Sequence, residues 1–342
     1  MKLKKFFAGV LAAAMMLTVG ATAAFAEEEA APITSVDVKK VYTLNGAGIS
    51  PKETFTFDIA RKEVSNAGTG VTNDNMPVPS IGSAAYTVDD GAKTDGNSKN
   101  VTIDFTKDGQ LIYNAVGVYD YTVSENAGKT LGVAYDTKTY TMRVVVVNGE
   151  TRGTYKINSV KFIDSATKQK ADTVSFENTY SANTLSVSKN VIGALGDMAK
   201  DFQFHVSFAN GTEKTWTDAI TVKKTNQNGE TSTITLDEDG GFTLKDDETV
   251  VFENVPADLT YTVSEDNYTA DGYTTKLNNE EKRDSGNVTM TAAAASCAFE
   301  NSKGGTIDTG VILDNAPYIA LLAIVAIGGV ALMLNKRRRD EE

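Results

Sequence analysis

The sequence predicts an all-β fold built from two tandem β-sandwich domains. Helical periodicity is nearly absent between the two ends of the chain, whereas short segments of alternating apolar and polar residues recur throughout. These segments are rich in Val, Thr, Phe and Tyr and are separated by Gly, Asn and Asp clusters, which is typical of antiparallel strands in sandwiches. The clearest segments are TFTFDI (54–59), NVTIDF (100–105), VYDYTVSE (118–125), YTMRVVVV (140–147), FQFHVSF (202–208), STITL (232–236), TVVFENV (249–255) and LTYTVSE (259–265).

The order of these segments repeats once along the chain, which is the second observation behind the predicted fold. VDVKK is followed by ETFTFDI, YDYTVSE and VSFENTY, and later LSVSKN is followed by KDFQFHVSF, LTYTVSE and CAFENSK. Such a repeat indicates a tandem duplication, with domain 1 at residues 31–180 and domain 2 at residues 181–303. We expect a short, stiff linker at residues 180–184. The polar stretch 64–100 is interpreted as a surface excursion of domain 1.

Both ends of the chain carry export signals. Residues 1–26 combine a basic start, an apolar run and a small-residue ending, which predicts a cleavable secretory signal peptide. Within residues 304–342, the apolar segment 318–334 is long enough to enter a bilayer as a helix, and the basic residues 336–339 follow it directly. The sequence therefore predicts a surface protein whose precursor is anchored in the membrane by its C-terminal tail.

Composition narrows the possible functions. The formal net charge is -12, and such an acidic chain argues against nucleic acid as a partner. Cys297 is the only cysteine, so no internal disulfide can form. His205 is the only histidine, and we expect it to face solvent. With one His and one Cys, neither a metal centre nor a Cys-His nucleophile is expected, and no cofactor is predicted.

Polar residues occupy core-facing positions in six of the predicted strands. Because side chains alternate between the two faces of a strand, each can be assigned a face from its apolar neighbours. Asn254 is also in phase with apolar neighbours, but a turn role suffices for it. The inward polar residues are Lys40, Glu125 and Asn178 in domain 1, and Lys189, Glu265 and Asn301 in domain 2.

The same three residue types, in the same order in both domains, can form an internal amide. Burial lowers the pKa of a lysine and raises that of a glutamic acid, so the neutral forms become accessible. A neutral amine is a nucleophile, and it can attack an asparagine side-chain carbonyl with loss of ammonia. We expect the glutamic acid to polarise that carbonyl and to shuttle the proton. For one such triple, a strand-end residue or a plain salt bridge would be the better interpretation; the repetition favours the reactive one.

These residues resemble those of the backbone pilins of Gram-positive bacteria, in particular the two-domain streptococcal T-antigen type. The resemblance covers nearly the whole chain: the first-strand lysine, the YTVSE segment, the last-strand FEN and the tail APYIALLAIVAIGGVAL. It implies immunoglobulin-like domains whose first and last strands are joined by isopeptide bonds. Carried over, the bonds are Lys40 to Asn178 assisted by Glu125, and Lys189 to Asn301 assisted by Glu265.

The resemblance also implies a covalently polymerised, wall-anchored pilus shaft. A pilus sortase would cut between Thr309 and Gly310 and pass Thr309 to a lysine of the neighbouring pilin subunit. Lys170 is the first candidate for that lysine and Lys168 the second, although both could equally be solvated loop residues. The pentapeptide at 306–310, TIDTG, lacks the common Leu-Pro opening, which leaves the sortase class open. Further implied partners are peptidoglycan and accessory minor pilins.

Two other functions compete with the shaft subunit. A non-polymerised, wall-anchored adhesin would share both ends of the chain, but no additional binding domain is evident. Cys297 could suggest a thioester, yet its place inside the last strand favours a small core residue. An exported enzyme is the weaker alternative, because the only chemistry predicted acts once, on the protein itself. The prediction is therefore a structural protein of the cell surface that is not an enzyme.

Overall fold

The computed structural model describes residues 31–210, 213–216 and 220–305, and it confirms the all-β prediction. The strands up to the middle of the chain are β1 (Ser35–Gly46), β2 (Glu53–Phe55), β3 (Phe57–Ser65), β4 (Ser80–Ile81), β5 (Ala84–Tyr86), β6 (Asn97–Asp104), β7 (Thr106–Lys107), β8 (Gln110–Leu111), β9 (Gly117–Glu125), β10 (Val133–Ala134), β11 (Thr139–Asn148), β12 (Tyr155–Asp164), β13 (Lys170–Ala171) and β14 (Ser175–Ile192). The later strands are β15 (Phe202–Ala209), β16 (Thr221–Thr225), β17 (Thr231–Thr233), β18 (Gly241–Leu244), β19 (Thr249–Pro256), β20 (Thr260–Glu265), β21 (Thr274–Leu277), β22 (Val288–Thr289) and β23 (Ala295–Ser302), with a 3-10 turn at Thr269–Asp271.

Domain 1 is a sandwich of two sheets. One sheet runs in the order β4-β6-β1-β14, and the facing sheet runs β13-β12-β11-β9-β3. Alternating apolar residues of both sheets meet between them, with Ile103, Tyr121, Met142 and Phe176 all fully buried. The first and last strands, β1 and β14, are parallel neighbours. That pairing brings the two ends of the domain side by side.

Domain 2 repeats the arrangement with fewer and shorter strands. Its first strand is the second half of β14, which pairs with β19 on one side and with β23 on the other. The facing sheet runs β18-β15-β20-β22. The core between the sheets contains Phe204, Phe252, Val263 and Phe299. Again the first and last strands are parallel neighbours.

The two domains share one continuous strand, so the predicted linker is wrong as a separate segment. β14 is 18 residues long and passes through residues 180–184 without a break. The chain stays extended there because its backbone groups are bonded on both sides of the junction. Ser181 donates its N–H to the Gly132 carbonyl at 2.8 Å, and its own carbonyl accepts from the Ala257 N–H at 2.8 Å.

The side chains of β14 serve both cores in turn. In the first half the buried residues are even-numbered, and in the second half they are odd-numbered apart from Ser186, with the change between residues 182 and 185. At this point β19 bulges against β14, and Asn254 in the bulge has a positive φ of 63°. The Asn254 side-chain oxygen accepts the Ile49 N–H at 3.0 Å, which fixes the bulge to domain 1.

Stretch 64–100 is only partly a surface excursion. It contains β4, β5 and the start of β6, and Met76 and Tyr86 within it are buried in the first core. The segment STITL is likewise strand only at its beginning, since β17 ends at Thr233. In stretch 64–100, isolated apolar residues without regular alternation gave no strand pattern.

Several predicted features lie outside the described residues. They are the signal peptide at 1–26, Thr309, Gly310 and the apolar segment 318–334. Among the residues that the structure describes, no helix has the length and apolar character needed to cross a membrane.

Candidate cross-linking sites

The first site lies between the two sheets of domain 1, where the first and last strands, β1 and β14, face the end of β9. In the parallel β1–β14 pair, Lys40 lies opposite Phe176 and Asn178 lies opposite Tyr42, so the two polar side chains are two positions apart on the same face. Glu125 ends β9 in the facing sheet and points into the same space. The exposed fraction is 0% for Lys40 and Asn178 and 9% for Glu125.

Glu125 bridges the amine and the amide. Its Oε2 accepts a hydrogen bond from Lys40 Nζ at 2.6 Å, and its Oε1 accepts one from Asn178 Nδ2. Lys40 Nζ also donates to the Phe176 carbonyl at 3.3 Å. One carboxyl group therefore contacts both nitrogens that would exchange protons during amide formation.

The second site reproduces the first in domain 2. In the parallel β14–β23 pair, Lys189 lies opposite Phe299 and Asn301 lies opposite Val191, which is the same two-residue offset. Glu265 ends β20, and its Oε1 accepts from Lys189 Nζ at 2.7 Å and from Asn301 Nδ2 at 2.9 Å. All three side chains are at most 2% exposed. The duplicated sequence pattern thus corresponds to a duplicated geometry.

Burial changes the protonation of both pairs in the direction that the chemistry needs. Desolvation lowers the pKa of Lys40 and raises that of Glu125, although each partner opposes the shift of the other. In domain 2, burial likewise lowers the pKa of Lys189 to about 8 and raises that of Glu265. A proton moved from the ammonium to the carboxylate would leave a neutral amine next to a neutral acid. Each site can therefore supply a neutral, nucleophilic amine more readily than an exposed lysine could.

The orientation of the asparagine differs from the expectation that the glutamic acid polarises its carbonyl. In both sites the glutamate faces the amide nitrogen. The Asn178 carbonyl oxygen accepts the backbone N–H of Asp136 at 2.7 Å instead. The corresponding oxygen of Asn301 has no hydrogen-bond partner among the described residues. The structure thus supports the proton-shuttling role of the glutamate more directly than the polarising role.

Aromatic rings cover both lysines, and sequence reasoning did not assign them a role. Lys40 Nζ lies 4.4 Å from the centre of the Phe55 ring, and Lys189 Nζ lies 4.1 Å from that of Phe202. A ring face stabilises the cation while excluding water from it. The sequence carried a signal for them, because TFTFDI and FQFHVSF both contain two phenylalanines separated by one residue.

The two candidate lysines for joining subunits lie together on the surface of domain 1. Lys168 is exposed in the turn between β12 and β13, with a positive φ of 61°. Lys170 is exposed in β13 and forms an ion pair of 2.9 Å with Asp172. Both amines are accessible, and the geometry does not choose between them.

Cys297 and His205 are the other two residues that the sequence analysis considered for a chemical role. Cys297 is 2% exposed in β23, and burial raises the pKa of its thiol to about 11. The thiolate is therefore disfavoured, in keeping with a core residue. The imidazole of His205 is about one third exposed, between Asp239 at 3.3 Å and Asp266 at 3.4 Å. Within the described part of the chain, no group of three or more His, Cys, Asp or Glu residues could hold a metal ion.

Comparison with known proteins identifies the family of the chain. A family described as the Spy0128-like isopeptide containing domain matches residues 36–181, and a domain of unknown function (DUF7601) matches residues 183–303. A pilin of Streptococcus pyogenes serotype M1 is 31% identical over 316 residues, which cover 87% of this chain and 89% of that pilin. The chain belongs to the pilin family. The resemblance stated from the sequence is thereby confirmed.

Solved structures support the same conclusion at the level of the fold. The crystal structure of the major pilin from Streptococcus pyogenes matches with a TM-score of 0.55 and 26% identity, covering 80% of this pilin and 99% of the other chain. A second major pilin, T3.2 from serotype GAS13637 of the same species, matches with a TM-score of 0.51 and 25% identity, covering 79% and 98%. This pilin is a structural subunit of a pilus shaft on the cell surface, where it associates with other pilin subunits.

Proposed function

We propose that this pilin cross-links each of its two domains, 31–180 and 181–303, by a self-generated amide bond. Lys40 is joined to Asn178 in domain 1 and Lys189 to Asn301 in domain 2. Glu125 and Glu265 carry the protons. The observation that supports the proposal best is that the same two-residue strand offset, with a glutamate that accepts hydrogen bonds from both the lysine and the asparagine nitrogen, occurs twice, each time inside a closed core.

The position of the bonds gives them a mechanical role. Each would join the first strand of its domain to the last, and β14 carries both Asn178 and Lys189. Tension that enters along β1 would pass through the first bond into β14 and then through the second bond into β23. Most of each sandwich would lie outside this covalent path. A shaft subunit of this kind transmits load without unfolding.

We further propose that the subunits are joined by a pilus sortase. The enzyme would cleave between Thr309 and Gly310 and transfer Thr309 to Lys170 or Lys168 of a neighbouring copy, or to peptidoglycan at the base of the fibre. Support comes from the exposure of both lysines and from the sequence position of Thr309, nine residues before the apolar segment 318–334. Until cleavage, segment 318–334 would hold the precursor in the membrane.

Mass spectrometry of recombinant protein tests the internal bonds. Each bond releases one ammonia, so the expected result is a deficit of two ammonia masses and a branched peptide from each domain after proteolysis. Glu125→Gln should abolish the bond in domain 1 alone, and Glu265→Gln the bond in domain 2 alone. A wild-type mass equal to that of the unmodified chain would contradict the proposal.

Matched control variants exist in both domains. Asp120 is a buried carboxylate in β9, paired with Arg143 at 2.7 Å, and Glu248 is a buried carboxylate paired with Lys224 at 2.6 Å. Neither contacts a reacting nitrogen. Asp120→Asn and Glu248→Gln should therefore keep both ammonia deficits. If these controls lose a bond as readily as the Glu125 and Glu265 variants, the glutamates have no specific role in the reaction.

A further inference from the structure

We propose that the backbone N–H of Asp136 is the donor that stabilises the developing oxyanion in the domain 1 reaction, and that the Asp136 carboxylate positions this N–H. The inference rests on the proposed cross-link between Lys40 and Asn178. It assigns the polarising role to the main chain of a turn instead of to Glu125.

The contact fixes the orientation of the reacting amide. An N–H group can donate only to the oxygen of Asn178, so the 2.7 Å contact from Asp136 defines which end of the amide faces the turn. The nitrogen then faces Glu125, to which it donates. Carbonyl oxygen and leaving nitrogen are thus held on opposite sides, and Lys40 Nζ, bound to the same carboxyl group, lies beside the amide.

The turn that presents the N–H is held by its own side chain. Asp136 Oδ1 accepts the Lys138 N–H at 2.8 Å, and its Oδ2 accepts the Glu177 N–H at 2.7 Å. The carboxylate is only 5% exposed. Because Glu177 directly precedes Asn178 in β14, the side chain ties the turn to the strand that carries the reacting amide.

The proposed reaction is balanced within the site. Neutral Lys40 Nζ attacks Asn178 Cγ, the N–C bond forms, and the carbonyl electron pair moves to Oδ1, where the Asp136 N–H stabilises the charge. Protonated Glu125 gives its proton to Nδ2 and takes one from Nζ. The oxyanion then collapses, the Cγ–Nδ2 bond breaks and ammonia leaves. The products are a secondary amide, ammonia and a regenerated carboxylic acid.

Domain 2 lacks this donor because its neighbouring strand has a different course. In domain 1, β10 pairs with β14 only at two positions and then turns at Asp136. In domain 2, β21 remains paired with β23 past the reacting residue, with Thr275 opposite Asn301. Its backbone groups are engaged in the ladder, and Asn301 Oδ1 has no partner among the described residues. Domain 2 therefore serves as an internal standard.

An amide-to-ester substitution at residue 136 tests the role of the N–H directly. The full-length chain is made by cell-free synthesis with an α-hydroxy analogue of aspartate at position 136, which replaces the N–H with oxygen and keeps the carboxylate. Samples are stopped in denaturant at intervals, and the cross-linked peptide of each domain is quantified by mass. We expect bond formation in domain 1 to slow by about 100-fold, as for loss of one oxyanion donor, with domain 2 unchanged.

Two comparisons separate this role from a loss of structure. An ester at residue 166 removes another hydrogen bond of domain 1, from the Ala166 N–H to Asp164 Oδ1 at 2.8 Å, and should leave the rate unchanged. Resistance to brief proteolysis is measured in every sample. Asp136→Ala should slow domain 1 strongly, and Asp136→Asn, which keeps one acceptor oxygen, should recover part of the rate.

Each outcome decides the proposal. A slow domain 1 in a protease-resistant ester variant supports it. The proposal is overturned if the rate in domain 1 is unchanged or if domain 2 slows equally. It is also overturned if a loss of protease resistance accounts for the slow rate in all position-136 variants. If the unsubstituted chain forms no cross-linked peptide in either domain, the proposed cross-links themselves are wrong, which is a distinguishable result.

Discussion

Removing the acceptor of the domain 2 bond should lower the stability of that domain by about 5 to 6 kcal/mol. In Asn301→Ala, the bond between residues 189 and 301 cannot form, and a loop of 112 residues (301 - 189) is no longer closed in the unfolded chain. The loop-entropy relation for cross-links gives about 5 kcal/mol for this length at 25 °C. Truncation also removes the hydrogen bond from Nδ2 to Glu265, which adds about 1 kcal/mol.

Tryptophan fluorescence in guanidinium chloride measures this change in the relevant domain. Trp216 is the only tryptophan of the chain, and its ring centre lies 6.2 Å from that of Phe208 at the second core. The unfolding midpoint of Asn301→Ala should fall by about 1–2 M, and the m-value should rise because the unfolded chain is less compact without the bond.

Lys189→Met serves as the matched control, since it blocks the same bond from the other end and keeps Asn301. Both variants should lose a similar amount of stability. If mass spectrometry shows the bond in the wild type, yet the variants unfold within 1 kcal/mol of it, the entropic account of the cross-link is refuted.

Three further predictions concern pH, force and polymerisation. Burial lowers the pKa of unlinked Lys189 to about 8, below its ordinary value of 10.5. If this pKa is kept in Asn301→Ala, the unfolded state binds more protons than the folded state between these values. The free energy of unfolding should therefore rise from about pH 8 to pH 10.5, whereas linked wild-type protein, checked by the same denaturation series, should lack this rise. A single molecule can be pulled from residues 31 and 305. In Asn178→Ala, unfolding should release roughly 480 Å more chain than in wild type, because the bond no longer shields the 138 residues (178 - 40) between its ends from the load. Equal extensions would mean that the load does not follow the bond. On cells, Lys168→Arg with Lys170→Arg should remove the high-molecular-weight ladder seen on immunoblots, and a persistent ladder would exclude both lysines as the joining residue.

The clustering of the residues proposed to react could be predicted from the sequence because two independent patterns converge on them. Alternation assigns Lys40 and Asn178 to the inward face, and the duplication singles out the same residue types a second time. The partners are 138 residues apart, yet parallel pairing of the first and last strands brings them together. The strand periodicity thus indicates which side chains face the core, and the repeat indicates which of the inward polar residues belong to a site.

Other features left no such pattern. The contact from the Asp136 N–H comes from the main chain, so no side-chain type marks it in the sequence. The shared strand was predicted as a linker because small and polar residues at 180–184 interrupt the apolar alternation. What keeps that segment extended is backbone pairing to Gly132 and Ala257, which are distant in sequence. Interactions between main-chain groups therefore account for most of what the sequence did not predict.

The change of buried face along β14 sets a rule for building longer rods from such domains. Asn178 points into the first core and Lys189 into the second, eleven residues further along one strand. Inserting or deleting a single residue between them would turn one of these two side chains to solvent, although the residues that form the two cores would be unchanged. A recombined shaft protein would need to keep this odd spacing at every junction, and a cut at the nominal domain boundary would divide a strand that both halves require.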